Sequence, residues 1–141
     1  MSIQDKIENL AERYKLLEIY VFGSRAHEIE SLLDGKKVET THDGSDLDVA
    51  VRISHPQEHN ASARVELSSE LEDIFEVSRV DLIVLNEADP FLCLEVIKGW
   101  LLFVRDPDDQ ARYELYVMRK AGDLLPFKKE RVKAILNEGA R

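Results

Sequence analysis

The sequence predicts an α+β fold, one sheet of about four strands flanked by helices, and two observations support it. Apolar runs of strand length alternate along the chain with segments whose apolar residues recur every three or four positions. Two Asp-Pro pairs, Asp89-Pro90 and Asp106-Pro107, each follow a strand-like run, and each offers the N-cap and first residue of a helix. At 141 residues the chain is expected to form a single domain, with helices from about residue 107 onward.

The elements follow in order. Ile3, Ile7, Leu10, Tyr14 and Leu17 after Ser2 suit an amphipathic first helix. Ile19 to Phe22 reads as a strand, and Gly44 to Val51, GSDLDVAV, contains a second. Pro56 and Asn60 precede a helix from about Ala61 to Phe75, with Val65, Leu71, Ile74 and Phe75 expected to point inward. Val80 to Leu85, VDLIVL, is the third strand, and Asp89-Pro90 opens a helix that Gly99 closes. Trp100 to Val104 reads as a fourth strand. Asp106-Pro107 opens a helix expected to end near Gly122, and Pro126 then starts the last one. The chain shows no repeat, linker or low-complexity tract.

Three aspartates stand on these strands. Alternation along an extended strand turns Asp46 and Asp48 to one face and Leu47, Val49 and Val51 to the other. Asp81, between Val80 and Leu82, offers a third carboxylate from a neighbouring strand. A carboxylate on an otherwise apolar strand is costly unless something compensates it. Three converging carboxylates would suit a pair of Mg²⁺ ions, which favour hard oxygen ligands. Gly23-Ser24 follows the apolar run ending at Phe22, and a sharp turn there brings amides and a hydroxyl within reach of a phosphate.

The ordered set VFGSRA (Val21 to Ala26), GSDLDVAV and VDLIVL resembles the DNA polymerase β-type nucleotidyltransferases. Within that superfamily the chain is similar to the minimal (MNT) type, especially the MntA-type antitoxins encoded beside HEPN-domain toxins. The likeness extends over nearly the whole chain, including the run from Val80 to Asp106 and the tail RYELYVMRKAGDLLPF. It implies a polymerase β palm-like fold with a mixed sheet. It also implies that Asp46, Asp48 and Asp81 are catalytic and ligate two Mg²⁺ ions, and that Gly23 and Ser24 hold the phosphates of ATP. The acceptor it implies is a tyrosine hydroxyl on a cognate HEPN RNase, silenced by attached AMP. Arg25, beside the turn, would either brace the triphosphate or remain solvated.

One departure from the pattern is the spacing. Twenty-one residues lie between Ser24 and Asp46, where the family has about ten. The extra material within His27 to Gly44 is polar, with Asp34-Gly35 as a turn signal, and is expected to form a small hairpin or a mobile flap gating the site. His27-Glu28 also replaces the usual small residue after the turn.

Charge narrows the acceptor. With 19 Lys and Arg against 28 Asp and Glu, the net charge of −9 disfavours long nucleic acids. The basic residues of the tail, Lys128, Lys129, Arg131 and Lys133, read as a solvated helix face. No apolar run is long enough for a membrane span and no leader is evident, so a cytoplasmic location is expected. Cys93 is the only cysteine and is expected to be buried and inert. His55 and His59 have the spacing of a helical zinc pair, but Pro56 interrupts the helix that the pair would need. Tyr113 and Tyr116 read as packing residues, with self-modification of an exposed tyrosine as the alternative. Three activities stay open: AMP transfer to a protein, nucleotidyl transfer to a small molecule or RNA end, and toxin neutralisation by contact alone.

Overall fold

The computed structural model describes residues 1–33 and 46–139. Its elements are α1 (Ile3–Arg13), β1 (Leu16–Phe22), α2 (Ala26–Leu33), β2 (Leu47–Ile53), α3 (Ala61–Phe75), β3 (Val80–Val84), α4 (Pro90–Ile97), β4 (Trp100–Val104) and α5 (Pro107–Gly139). A 3₁₀ turn, Pro56–Glu58, separates His55 from His59. The four strands form one mixed sheet in the order β3-β2-β1-β4. β1 is antiparallel to both β2 and β4, while β2 and β3, joined through α3, run parallel.

Both faces of the sheet are covered. Ile7, Leu10 and Ala11 of α1 and Leu67, Leu71 and Phe75 of α3 pack on Ile19, Val21, Val49 and Val51. On the other face, Cys93 and Val96 of α4 and Val117 of α5 cover Tyr20, Ala50 and Leu85. Residues of β1 and β2 therefore alternate between two cores, which explains why their runs contain so few polar positions.

Local chemistry starts most helices where the sequence indicates. Ser2 and Asp5 form a capping box at α1. The Asn60 side chain accepts from the Ala63 amide, and Asp89 accepts from Phe91 and Leu92 with Pro90 at the first helical position. Asp106 Oδ1 accepts from the amides of Asp108 and Asp109 at the head of α5. Gly99 precedes β4 at a point where a Cβ would lie 2.6 Å from the Val21 carbonyl oxygen, so strand pairing there needs glycine.

Four expectations are corrected. Leu17 does not extend α1: Lys15, at φ 54°, ends that helix, and Leu16 already pairs with Ile53 as buried strand. Val65 is 68% exposed, and the inward stripe of α3 is Leu67, Leu71 and Phe75, each one helical turn from the next. Of the segment from His27 to Gly44, expected to be a hairpin or a flap, the described part as far as Leu33 is helical; the rest, around Asp34-Gly35, lies outside the described residues. Finally, α5 is a single helix that neither ends at Gly122 nor restarts at Pro126. Pro126 removes one amide whose acceptor would have been the Gly122 carbonyl, and Gly122 is exposed to water.

Candidate active site

The site grows from the end of β1. The strand leaves Phe22 into Gly23, whose φ of +81° is left-handed backbone that favours glycine. The turn passes directly over Asp48: a Cβ added to Gly23 would sit 2.5 Å from Asp48 Oδ2. Ser24 follows, exposed, and α2 begins two residues later, with the Ala26 amide donating to the Gly23 carbonyl at 3.3 Å. The turn thus lies at the N-terminal end of a helix, whose first amides have no intrahelical acceptor and favour an anion.

Strand register assembles the acids. Asp48 lies opposite Phe22 on β1 and beside Asp81 on the parallel β3. Asp81 is exposed and Asp48 half-buried, so the pair opens to solvent. Asp46 stands one residue ahead of β2, with its carboxylate 3.5 Å from Arg79 Nε. The Asp48 carboxyl is pushed above its ordinary range by burial, then by the negative charges of Asp81 and Asp46, and by its hydrogen bond to Asp81. The arrangement stores like-charge repulsion that a cation would relieve.

Among the described residues no three His, Cys, Asp or Glu side chains already close round one point as a finished metal cage. The donor set nevertheless fits a hard divalent ion. The candidate ligands are carboxylate oxygens, two of them adjacent in register, and the third is held by an exposed ion pair of small net worth. Arg79 was not picked out by the sequence reading, and its one signal is its place immediately before the strand carrying Asp81.

Arg25 is not solvated. It is only 5% exposed, and its Nε donates to Glu28 at 2.9 Å, so it braces the turn from within. Replacing Gly23 by Ala is expected to impose left-handed strain of about 1–2 kcal/mol. The same Cβ would push the Asp48 carboxylate out of place. The expected result is a small drop in melting temperature together with a loss of nucleotidyl transfer of at least about a hundredfold. A variant retaining full transfer would show that the turn does not need to approach the acid.

Further along the same face is a second polar constellation that sequence reasoning missed. Glu18, 1% exposed, accepts from Arg52 Nε and Nη2 at 2.6 and 2.8 Å, and Arg52 Nη2 also donates to Asp109 of α5 at 2.6 Å. The Arg52 guanidinium lies 4.5 Å from the centre of the Tyr113 ring. Burial pushes the Glu18 carboxyl up, against the hydrogen bonds from Arg52 that pull it down. A signal for this network was present, since Glu18 and Arg52 are opposite charges placed within two apolar strand runs.

A cavity of about 490 Å³ adjoins that network, lined in part by Leu85, Cys93, Arg112, Tyr113 and Tyr116. Arg52, which also lines it, stands four residues along β2 from Asp48, roughly 13 Å at strand rise. Tyr113 packs there with its hydroxyl buried, whereas Tyr116 is 59% exposed and so is not the packing residue expected. Cys93 is buried, and desolvation raises its thiol above the ordinary value.

A family model described as polymerase beta, nucleotidyltransferase, matches residues 5–108. No curated protein sequence matches. Among solved structures, a chain of a toxin–antitoxin crystallised with AMP-PNP superposes with a TM-score of 0.70 at 24% identity, over 94% of this chain and 98% of that one. A chain of the tri-AMPylated Shewanella oneidensis HEPN toxin in complex with MNT antitoxin gives 0.67 at 22% identity, over 95% and 96%. A chain of the MntA-HepT toxin–antitoxin gives 0.66 at 22% identity, over 95% and 97%. At these identities the structural likeness is one of fold.

Proposed function

Because this chain belongs to the polymerase beta nucleotidyltransferase family, we propose that it transfers AMP from ATP to a tyrosine hydroxyl of a partner HEPN-type RNase, and so acts as that toxin's antitoxin. The observation that carries this reading is the register pairing of Asp48 with Asp81 beneath the Gly23 turn. It joins a carboxylate pair to a glycine turn at a helix N-terminus, which is the equipment of a reaction at a nucleoside triphosphate. The neighbours of similar fold include a complex with AMP-PNP and one with a tri-AMPylated toxin, which supports AMP as the group moved.

In this reading Gly23 and Ser24 receive the β and γ phosphates, using backbone amides and a hydroxyl, while Arg25 and Glu28 hold the turn in shape. Asp46, Asp48 and Asp81 would hold two Mg²⁺ ions. When bound, these supply charge neutralisation at the α phosphate and on departing pyrophosphate. Asp81, the most open of the adjacent pair, accepts the proton of the incoming hydroxyl. The hydroxyl oxygen forms the new bond to α-phosphorus as the bond to pyrophosphate breaks.

Charge fits a protein acceptor better than a long nucleic acid. A net charge of −9 on 141 residues offers no broad attraction to RNA, so the partner protein supplies both the contact surface and the hydroxyl. Each AMP added near an RNase groove introduces a phosphodiester charge that repels substrate. Incubating the chain with ATP, Mg²⁺ and the product of the adjacent gene is expected to raise that product's mass by one or more AMP units as its RNase activity falls. An unchanged mass with lost RNase activity would replace this reading by neutralisation through contact. Labelling of a small hydroxylated compound or an RNA end instead of the protein would move the acceptor to another class.

A further inference from the structure

The helix α5 outlasts the body it packs on. Among the described residues its last buried side chain is Ala121, yet the helix continues to Gly139, about 27 Å further at helical rise. The inward stripe does not stop with the contact. Ala121, Leu125, Lys128, Val132 and Ile135 follow at alternating spacings of four and three, the repeat with which one helix seats against another. Lys128 still reaches the body, with its ammonium 4.2 Å from the centre of the Phe91 ring. Beyond it, Val132, Ile135 and Leu136 are 47%, 58% and 67% exposed. A projecting helix end with an uncovered apolar seam is marginal alone and gains its stability by packing.

The charge on this segment differs from that on the rest of the chain. From Leu124 to Leu136 it carries Lys128, Lys129, Arg131 and Lys133 against Glu130 alone, within a protein of net charge −9. A second copy laid antiparallel on the same seam would bring Lys129 of one copy against Lys133 of the other, which is unfavourable. A partner with acidic flanks is favoured instead. We propose that the distal half of α5 is a docking helix that receives an α-helix of the partner protein, one with an apolar heptad seam flanked by Glu and Asp. The identity of that partner as the AMP acceptor rests on the function proposed above. Docking there would tether the acceptor to the enzyme at high effective concentration without touching the acids.

The test pairs two double variants of the full chain, Val132→Asp with Leu136→Asp, and Lys129→Glu with Lys133→Glu. Both change exposed positions, and unchanged melting curves would verify folding. Against the adjacent gene product, each is expected to weaken binding at least about tenfold and raise KM for AMP transfer with kcat retained. Asp48→Asn should dock as wild type does. Unchanged affinity in both variants would overturn the docking helix and leave the proposed function standing. Docking through the seam with no AMP transferred would do the reverse. Failure of the wild-type chain to bind the gene product would remove this partner and the proposal with it. A wild-type dimer split by Val132→Asp with Leu136→Asp would assign the seam to a second copy. Association with phosphatidylglycerol vesicles, lost in the same variant, would assign it to a lipid surface.

Discussion

Asp48→Asn is expected to abolish Mg²⁺-dependent AMP transfer, lowering the rate roughly a thousandfold or more while the fold persists. Asp48 lies both beside Asp81 on the neighbouring strand and beneath the Gly23 turn, so its loss removes the centre of the set. Stability in the presence of a chelator should stay level or rise, because a neutral amide removes a charge that burial and then Asp81 and Asp46 already disfavour. The sign with pH follows from that upward shift. The folded protein binds the Asp48 proton at a higher pH than the unfolded chain, so metal-free stability increases as pH falls through the raised value. The same proton competes with a cation, so transfer falls as pH drops. Thermal melts with chelator across a pH series, with Asp48→Asn beside wild type, check both: the variant should lose the stability gain on acidification. Retained turnover in Asp48→Asn would remove the acid from the chemistry.

The largest effect on stability is expected from Arg52→Leu, a loss of about 3–5 kcal/mol at neutral pH. Arg52 donates to both Glu18 carboxylate oxygens, and it also ties Asp109 at the head of α5 to the sheet. Without it, a carboxylate 1% exposed is left unpaired beside Tyr20 and beneath α5. The Glu18 carboxyl, already raised by burial, then loses the hydrogen bonds that pull it down and rises further. Protonation of the folded form at that raised value partly restores the variant as pH falls, so the deficit against wild type should narrow in acid. Replacing both residues by leucine should recover most of the loss, since the penalty comes from the orphaned charge. Denaturant titrations of the two variants at neutral and acid pH measure this. Equal stability of Arg52→Leu and wild type would show that the network carries no net weight.

Much of the fold and the site could be read along the chain because it rests on neighbouring residues. Capping by Ser2, Asn60, Asp89 and Asp106 depends on a side chain meeting an amide two or three positions on, and each helix starts where those residues stand. Alternation along β2 turned Asp48 away from Val49 and Val51 without reference to any other strand. The left-handed turn at Gly23 is likewise a property of one residue and the strand before it.

Distant contacts decided the rest. Strand register alone puts Asp81 beside Asp48, and no local pattern distinguishes that pairing from one two residues out of step. Leu16 was claimed by the ladder with Ile53, so Lys15 had to end α1 early. Arg25 turned inward because Glu28 and the body around the turn receive it, and Val65 faced water because the stripe through Leu67, Leu71 and Phe75 met the sheet. At Pro126 the exposed Gly122 carbonyl can turn outward and take a hydrogen bond from water in place of the missing amide, which lowers the cost of the proline, and the strongest breaker in the sequence did not break α5. Sequence alone determined which side chains stand as candidates for the chemistry and where most helices start; tertiary structure determined which of them meet, because a contact's free energy depends on partners that no local window contains.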